Sequence, residues 1–350
     1  MSSEISEPHE AILQFFIAGH ARLAKTENTI RKGRAMSRFQ ILALDGGGIK
    51  GLFSAAFLSK IEEDLNTKIT DHFDLIVGTS TGGIIALGLG LGLSPKELVE
   101  FYFSKGPVIF KKVPLWTGLR NLIFSKYSTK TIENAFQEEK CFGSKLLGES
   151  TKRLVIPSYN VDTNDVCVFK TAHHERFKRD YKIPAWKIAR ATSAAPSFFS
   201  ISNNVDGIRL VDGGVWANNP ALVGLFEAIA VLEIPLAEVR IFSIGTTEEL
   251  KQNPRFLGKF GGWPFWASTA VELIMQAQSV GISAQLKLLL KDNFVRVNPK
   301  VPAGLFGLDK MNMDELFAFA STRSRTESPN FNLKFKDHRA SEFVPAHKSE

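Results

Sequence analysis

Cysteine is nearly absent from this chain: Cys141 and Cys167 are the only two in 350 residues. Two cysteines cannot build the disulfide framework of a small secreted scaffold. The expected setting is a reducing cytoplasm, with both thiols read as small core side chains. Long apolar runs are also missing. A membrane-spanning helix needs roughly 18 or more consecutive apolar residues, and the longest candidate, Gly83 to Leu93, is shorter and broken by glycines. A basic start is lacking too: Glu4, Glu7 and Glu10 stand where a secretory leader carries positive charge, so no signal peptide is expected. There is no internal repeat and no linker that forces a second domain.

What is present fits a soluble globular enzyme. Hydrophobic residues make up 44% and charged residues 23%, enough to bury one large core. The net charge is +7, with basic clusters at Arg31 to Arg34, Lys105 to Lys112 and His173 to Lys182. Such charge suits nucleic acid and an anionic membrane face equally, and solvated surface explains any one cluster alone. The segment Val108 to Trp116 mixes bulky apolar groups with lysines. It can lie at a lipid interface or close over the core as a loop.

Periodicity divides the chain into a helical appendage over 1–37, a main domain over 38–328 and a polar tail over 329–350, expected to be loose. In the appendage Ala11, Ile12, Phe15, Phe16 and Leu23 fall near helical spacing. From Phe39 short apolar strands alternate with helices, which predicts an α/β layered sheet with helices on both faces. The expected strands include 39–44, 73–77, 153–159, 166–171, 207–211, 239–244 and 294–297. A long helix is expected over 265–290.

Within that frame Gly78-Thr79-Ser80-Thr81-Gly82 follows a buried strand and precedes a small, apolar helix. A G-x-S-x-G in that setting is a nucleophile elbow, in which glycines permit a cramped turn that lifts the serine hydroxyl toward substrate. The first strand runs into Asp45-Gly46-Gly47-Gly48-Ile49-Lys50-Gly51, where unobstructed backbone N–H groups at a helix start make an anion site. Such a site cradles a phosphate or stabilises an oxyanion. Gly46, Gly48 and Gly51 satisfy G-x-G-x-x-G, but the second strand ends in Gly78-Thr79-Ser80 where a dinucleotide site wants an acidic residue. A P-loop also fails for want of Lys and Ser/Thr at the required positions. The oxyanion reading is therefore the stronger.

A serine needs a base. The seven histidines are poorly placed for that: His9 and His20 lie in the appendage, His338 and His347 in the tail, His72 before the elbow strand, and His173-His174 in a basic loop as an exposed pair. Asp212 follows a strand and precedes Gly213-Gly214, which would bring a carboxylate to the rim that holds Ser80. Standing alone, it reads rather as an aspartate in a plain turn.

Four blocks together resemble the patatin-like phospholipase family, in its bacterial branch: Asp45 to Gly51, Gly78 to Gly82, Ala191 to Phe199, and Asp212-Gly213-Gly214. Lys50 departs from the arginine usual in that family. Residues 1–37 and 301–350 lie outside the resemblance. It implies a patatin-like fold and a phospholipase with a Ser-Asp dyad, in which Ser80 attacks a lipid ester and Asp212 takes its proton. It also implies that Gly46, Gly47 and Gly48 hold the oxyanion, with no metal or organic cofactor. The implied partner is a phospholipid membrane surface, reached by peripheral association from the cytoplasm, and no nucleic-acid polymer. Some bacterial members resembling this chain are anti-phage effectors switched on by a cyclic dinucleotide, so such an activator is an expectation here, with a homo-oligomer allowed. The alternatives are a constitutive esterase or thioesterase and a non-catalytic lipid-binding protein.

Overall fold

Alternating strands and helices predict a layered sheet, and the computed structural model of the protein contains one. It describes residues 38–111, 125–250, 270–302 and 304–348. The expected appendage over 1–37, most of the Val108 to Trp116 segment and the start of the 265–290 helix lie outside the described residues.

Ten strands are described. They are β1 (Phe39–Leu44), β2 (Leu75–Gly78), β3 (Arg153–Asn160), β4 (Asp165–Lys170), β5 (Ser202–Val205), β6 (Ile208–Asp212), β7 (Val239–Ile244), β8 (Glu248–Leu250), β9 (Phe294–Val297) and β10 (Lys300–Pro302). Eight form the main sheet in the order β5-β6-β3-β2-β1-β7-β9, with β4 also paired to β3. The centre, β3-β2-β1-β7-β9, is parallel. Successive side chains of a strand point to opposite faces, and the burial follows. Leu42, Leu44 and Ile76 enter one apolar core, while Ile41, Ala43, Leu75 and Val77 enter the other.

Helices cover both faces. The larger core is packed by α1 (Gly51–Leu65), α2 (Thr81–Gly90), α3 (Pro95–Ile109), α4 (Thr129–Gln137) and α5 (Ala185–Thr192). The short α6 (Gly214–Ala217) follows β6, and the other core is packed by α7 (Ala221–Phe226) and α8 (Ala270–Leu290). A last helix, α9 (Met313–Lys334), lies along α1. Helix α3 starts at a capping box, with Ser94 accepting from the Glu97 N–H at 3.2 Å and Pro95 in the first turn. It runs past the Gly106-Pro107 pair, which reads in sequence as a helix stop.

The C-terminal region differs from the expected loose tail. Phe331 and Phe335 are fully buried in an aromatic cluster with Phe73 and Phe242. Beyond the helix, the His338 ring meets Asp74 at 2.7 Å, Phe343 is buried, and the Ala346 N–H donates to the Ala172 carbonyl at 2.7 Å. Widely spaced aromatics in a polar stretch carry this packing, and Pro329 inside α9 hides its helical pattern.

One pairing positions the site. On β3, residue 155 pairs both β2 and β4, and residues 158–160 pair both β4 and β6. A strand has two edges, so β2 and β6 share the edge opposite β4. β2 stops at Gly78, and β6 enters antiparallel along the line it vacates, with Asp212 opposite Ser158.

Candidate active site

Parallel neighbours β1 and β2 end side by side, Leu44 opposite Gly78, so the glycine loop and the serine turn emerge at one rim. Ser80 sits at the turn with φ 55° and ψ −122°, a conformation that costs a non-glycine residue about 1–3 kcal/mol. Close packing enforces it: a Cβ on Gly82 would come within 2.2 Å of the Leu44 carbonyl oxygen. The Ser80 N–H donates to Thr192 Oγ1 at 3.0 Å, and Thr192 donates to the Pro157 carbonyl at 2.6 Å. The turn is thus tied to β3.

Ser80 Oγ donates to Asp212 Oδ2 at 2.6 Å, and the Gly214 N–H donates to Asp212 Oδ1 at 2.7 Å. The Asp212 N–H is held by the Ala194 carbonyl at 3.1 Å. Both side chains are buried, with Asp212 2% exposed. Burial pushes the Asp212 carboxyl up to about 7, against the two hydrogen bonds that favour its charge. Those bonds orient the carboxylate, while burial puts its proton affinity where a general base works near neutrality.

The glycine loop is anchored from behind. Asp45 receives a bidentate contact from Arg296, at 2.7 Å to Oδ1 and 2.5 Å to Oδ2, and a third donor, Ser279 Oγ, at 2.9 Å. Burial holds the Asp45 carboxyl above its ordinary value, and these donors offset that only in part. Gly48 has φ +59°, and a Cβ there would meet the Leu308 carbonyl oxygen at 2.2 Å, so only glycine fits. The Gly46 N–H donates to the Asn218 carbonyl at 3.0 Å. That corrects the expected donor set: Gly46 is already committed to the segment after Asp212. The Gly47 and Gly48 N–H groups have no acceptor among the described residues. Lys50 Nζ donates to the Thr247 carbonyl at 3.2 Å.

Ser80 and Asp212 open on a cavity lined by apolar side chains such as Ile84, Phe101, Ile109 and Phe198. The Ala191 to Phe199 block contributes Ser193, Ala195, Pro196, Phe198 and Phe199 to its wall. Of the remaining expected residues, Gly51 and Gly78 are close-packed supports, and Gly213 lies against the Pro157 carbonyl. His72 lies before β2, bonded to Thr67 and the His338 carbonyl, away from the serine turn. His173 is not exposed as expected: its side chain is fully buried and meets Glu227 at 3.0 Å, because Glu227 also takes Lys170 there. Thr192 lies inside the Ala191 to Phe199 block, but its bond to the Ser80 N–H was not read from sequence, nor were the roles of Asn218 and Arg296. Arg296 leaves one sign, a charge inside an apolar strand.

The fold is an α/β layered sheet whose serine turn opens on an apolar cavity. The chain belongs to the patatin-like phospholipase family, which it matches over residues 42–225. It is 32% identical over 351 residues to the cGAMP-activated phospholipase of Vibrio cholerae, covering 89% of this chain and 96% of that one. It is 31% identical over 264 residues to a protein of the same name from Pseudomonas aeruginosa, covering 75% and 78%. A third, from Escherichia coli, is 36% identical over 241 residues, covering 63% and 66%.

Proposed function

We propose that the protein releases fatty acids from membrane phospholipids with Ser80 as nucleophile and Asp212 as base. The observation that carries this reading is the direct 2.6 Å hydrogen bond between them at the mouth of an apolar cavity. As Ser80 Oγ attacks the ester carbonyl, its proton passes to Asp212 and the carbonyl electrons move to oxygen. The N–H groups of Gly47 and Gly48 hold that oxyanion. The tetrahedral intermediate collapses, the lysolipid alkoxide leaves with the proton from Asp212, and an acyl-serine remains. Water then attacks it while Asp212 takes the water proton. The fatty acid departs, and the proton returns to Ser80. No histidine is needed, because burial has already moved the carboxylate into the working range.

Access to a membrane is supported by exposed apolar groups on α8: Leu273, Ile274, Val280 and Leu288 stand out at 42%, 56%, 50% and 79% exposure. Among the described residues no helix is long and apolar enough to cross a membrane. The interaction is therefore read as peripheral docking. A cyclic dinucleotide such as cGAMP is taken to raise the activity, on the strength of the three relatives named for that activation.

The test is fatty-acid release from phospholipid vesicles with and without cGAMP. Wild type should respond to the nucleotide, whereas Ser80→Ala and Asp212→Asn should each lose at least roughly 10³-fold, and the double variant should be scarcely worse. Additive losses would assign the base elsewhere, and a nucleotide-independent rate would remove the activator.

A further inference from the structure

Beyond Asp212 the chain turns through α6 and passes three residues whose backbones each hold a different element. The Ala217 carbonyl accepts from Thr79 Oγ1, on the serine turn, at 2.6 Å. The Asn218 carbonyl accepts from the Gly46 N–H, on the glycine loop, at 3.0 Å. Asn219 is held by Gln278 of α8: its N–H donates to Gln278 Oε1 at 2.9 Å, and its carbonyl accepts from Gln278 Nε2 at 3.4 Å. Its side chain is bonded at both ends. Asn219 Nδ2 donates to Ser283 Oγ at 3.1 Å, and Oδ1 accepts from the Ala221 N–H, at the start of α7, at 3.0 Å. Asn219 is 1% exposed, so these bonds form out of water, where a lost partner is costly. The next residue of α8, Ser279, donates to Asp45 Oδ2 at 2.9 Å, just before the glycines. Two adjacent side chains of one helix therefore hold the segment after Asp212 and the glycine loop together.

The consequence is geometric. An oxyanion donor works only within about 3 Å of the place where the charge forms, and a misplacement of about 1 Å can cost about a hundredfold in rate. Ser80 fixes where that oxygen forms, and the glycine loop fixes where the donors stand. The run Ala217 to Asn219 is bonded to both, and Gln278 fastens that run to a helix of 21 residues. We infer that Gln278 is a positioning residue of the reaction, which acts through Asn219 and the Asn218 carbonyl to set the Gly47 and Gly48 N–H groups against Ser80. The inference rests on the reading of Ser80 as nucleophile given above. Gln278 lies outside the wall of the apolar cavity, so its effect reaches the reaction only through the backbone it holds.

The experiment uses the full chain with cGAMP present and p-nitrophenyl butyrate, a soluble ester whose turnover needs no docking of α8 on lipid. Rates are counted per mole of Ser80 labelled to completion by a fluorophosphonate, so that losses of folded enzyme cancel. Gln278→Met keeps the length of the side chain and removes both polar atoms. It should lower kcat by roughly tenfold to a hundredfold, with KM little changed. Gln278→Glu keeps an acceptor for the Asn219 N–H and should recover most of that loss. In a Gly48→Ala background Gln278→Met should add little, because the donors it helps to place are already displaced. An unchanged kcat in Gln278→Met, a loss that multiplies fully with that of Gly48→Ala, or no recovery in Gln278→Glu would overturn the assignment. If Gln278→Met does not fold, Ser283→Ala, which removes the acceptor of Asn219 Nδ2, carries the same expectations in both backgrounds. Ser80→Ala, compared per mole of protein, separates the two readings. Full turnover there removes the nucleophile and the inference with it, whereas lost turnover there beside a wild-type kcat in Gln278→Met removes the positioning role alone.

Discussion

At the scale of single residues the molecule turns on Asp212. Its carboxyl is pushed from 3.8 up to about 7 by burial, and both activity and stability should report that. If its ionised form is the base, turnover should rise with pH and level off above about 7. The stability effect has the opposite sign. Below 3.8 the group is protonated whether the chain is folded or not; between 3.8 and about 7 only the unfolded chain releases the proton. The unfolded state therefore binds fewer protons there, and this residue's contribution to stability falls as pH rises across that window. Asp212→Asn is neutral throughout, so it should melt progressively higher than wild type from pH 4 to pH 7, by up to a few kcal/mol, with the gap constant above that. A gap that does not change with pH in thermal melts would mean that Asp212 ionises at its ordinary value. The serine turn was legible in sequence because its glycines and flanking strand and helix are neighbours in the chain. Thr192, which holds the Ser80 N–H, was not, since a threonine in an alanine-rich helix carries no mark of its partner.

At the scale of elements, the glycine loop depends on two distant anchors. One is Gly48, whose backbone is left-handed against the Leu308 carbonyl. Gly48→Ala should lower kcat by about 10²- to 10³-fold, the usual cost of losing an oxyanion donor, with a smaller change in KM. A variant that raised KM alone would make the loop a ground-state binding element. The other anchor is Arg296 in β9, which reaches Asp45 across 251 residues of sequence. Arg296→Ala leaves a buried carboxylate unpaired and should cost about 3–5 kcal/mol. Urea denaturation measures that directly, and a loss under about 1 kcal/mol would show the pair to be a surface-like contact. Arg296→Lys should recover only part, because an ammonium cannot make the two-pronged contact.

For the whole molecule, the structure joins the C-terminal segment to the sheet. Gln40 Nε2 in β1 donates to the Phe335 carbonyl at 3.0 Å, and Phe331 and Phe335 fill space against Phe73 and Phe242. Each buried phenylalanine lost costs about 3–5 kcal/mol, so removing residues 329–350 should exceed the stability of a typical domain. The truncated chain should accumulate as aggregate with no cooperative melt. A truncated protein melting at the wild-type temperature would make the segment dispensable. A polar tail was expected from composition, because a few aromatics spaced along a serine- and lysine-rich stretch do not form a local pattern.

By itself the sequence determined the alternation of strands and helices, the serine turn, the glycine loop and the family to which they belong. Each of these depends on backbone freedom and apolar period within a short run of residues. The direct approach of Asp212 to Ser80 was decided by tertiary structure, because it requires β2 to stop early and β6 to enter antiparallel on the same edge of β3. So were the commitment of the Gly46 N–H to Asn218, the Arg296 anchor and the hold of Gln278 on Asn219. These arise where segments far apart in the chain meet, and their register is set by packing of the whole sheet.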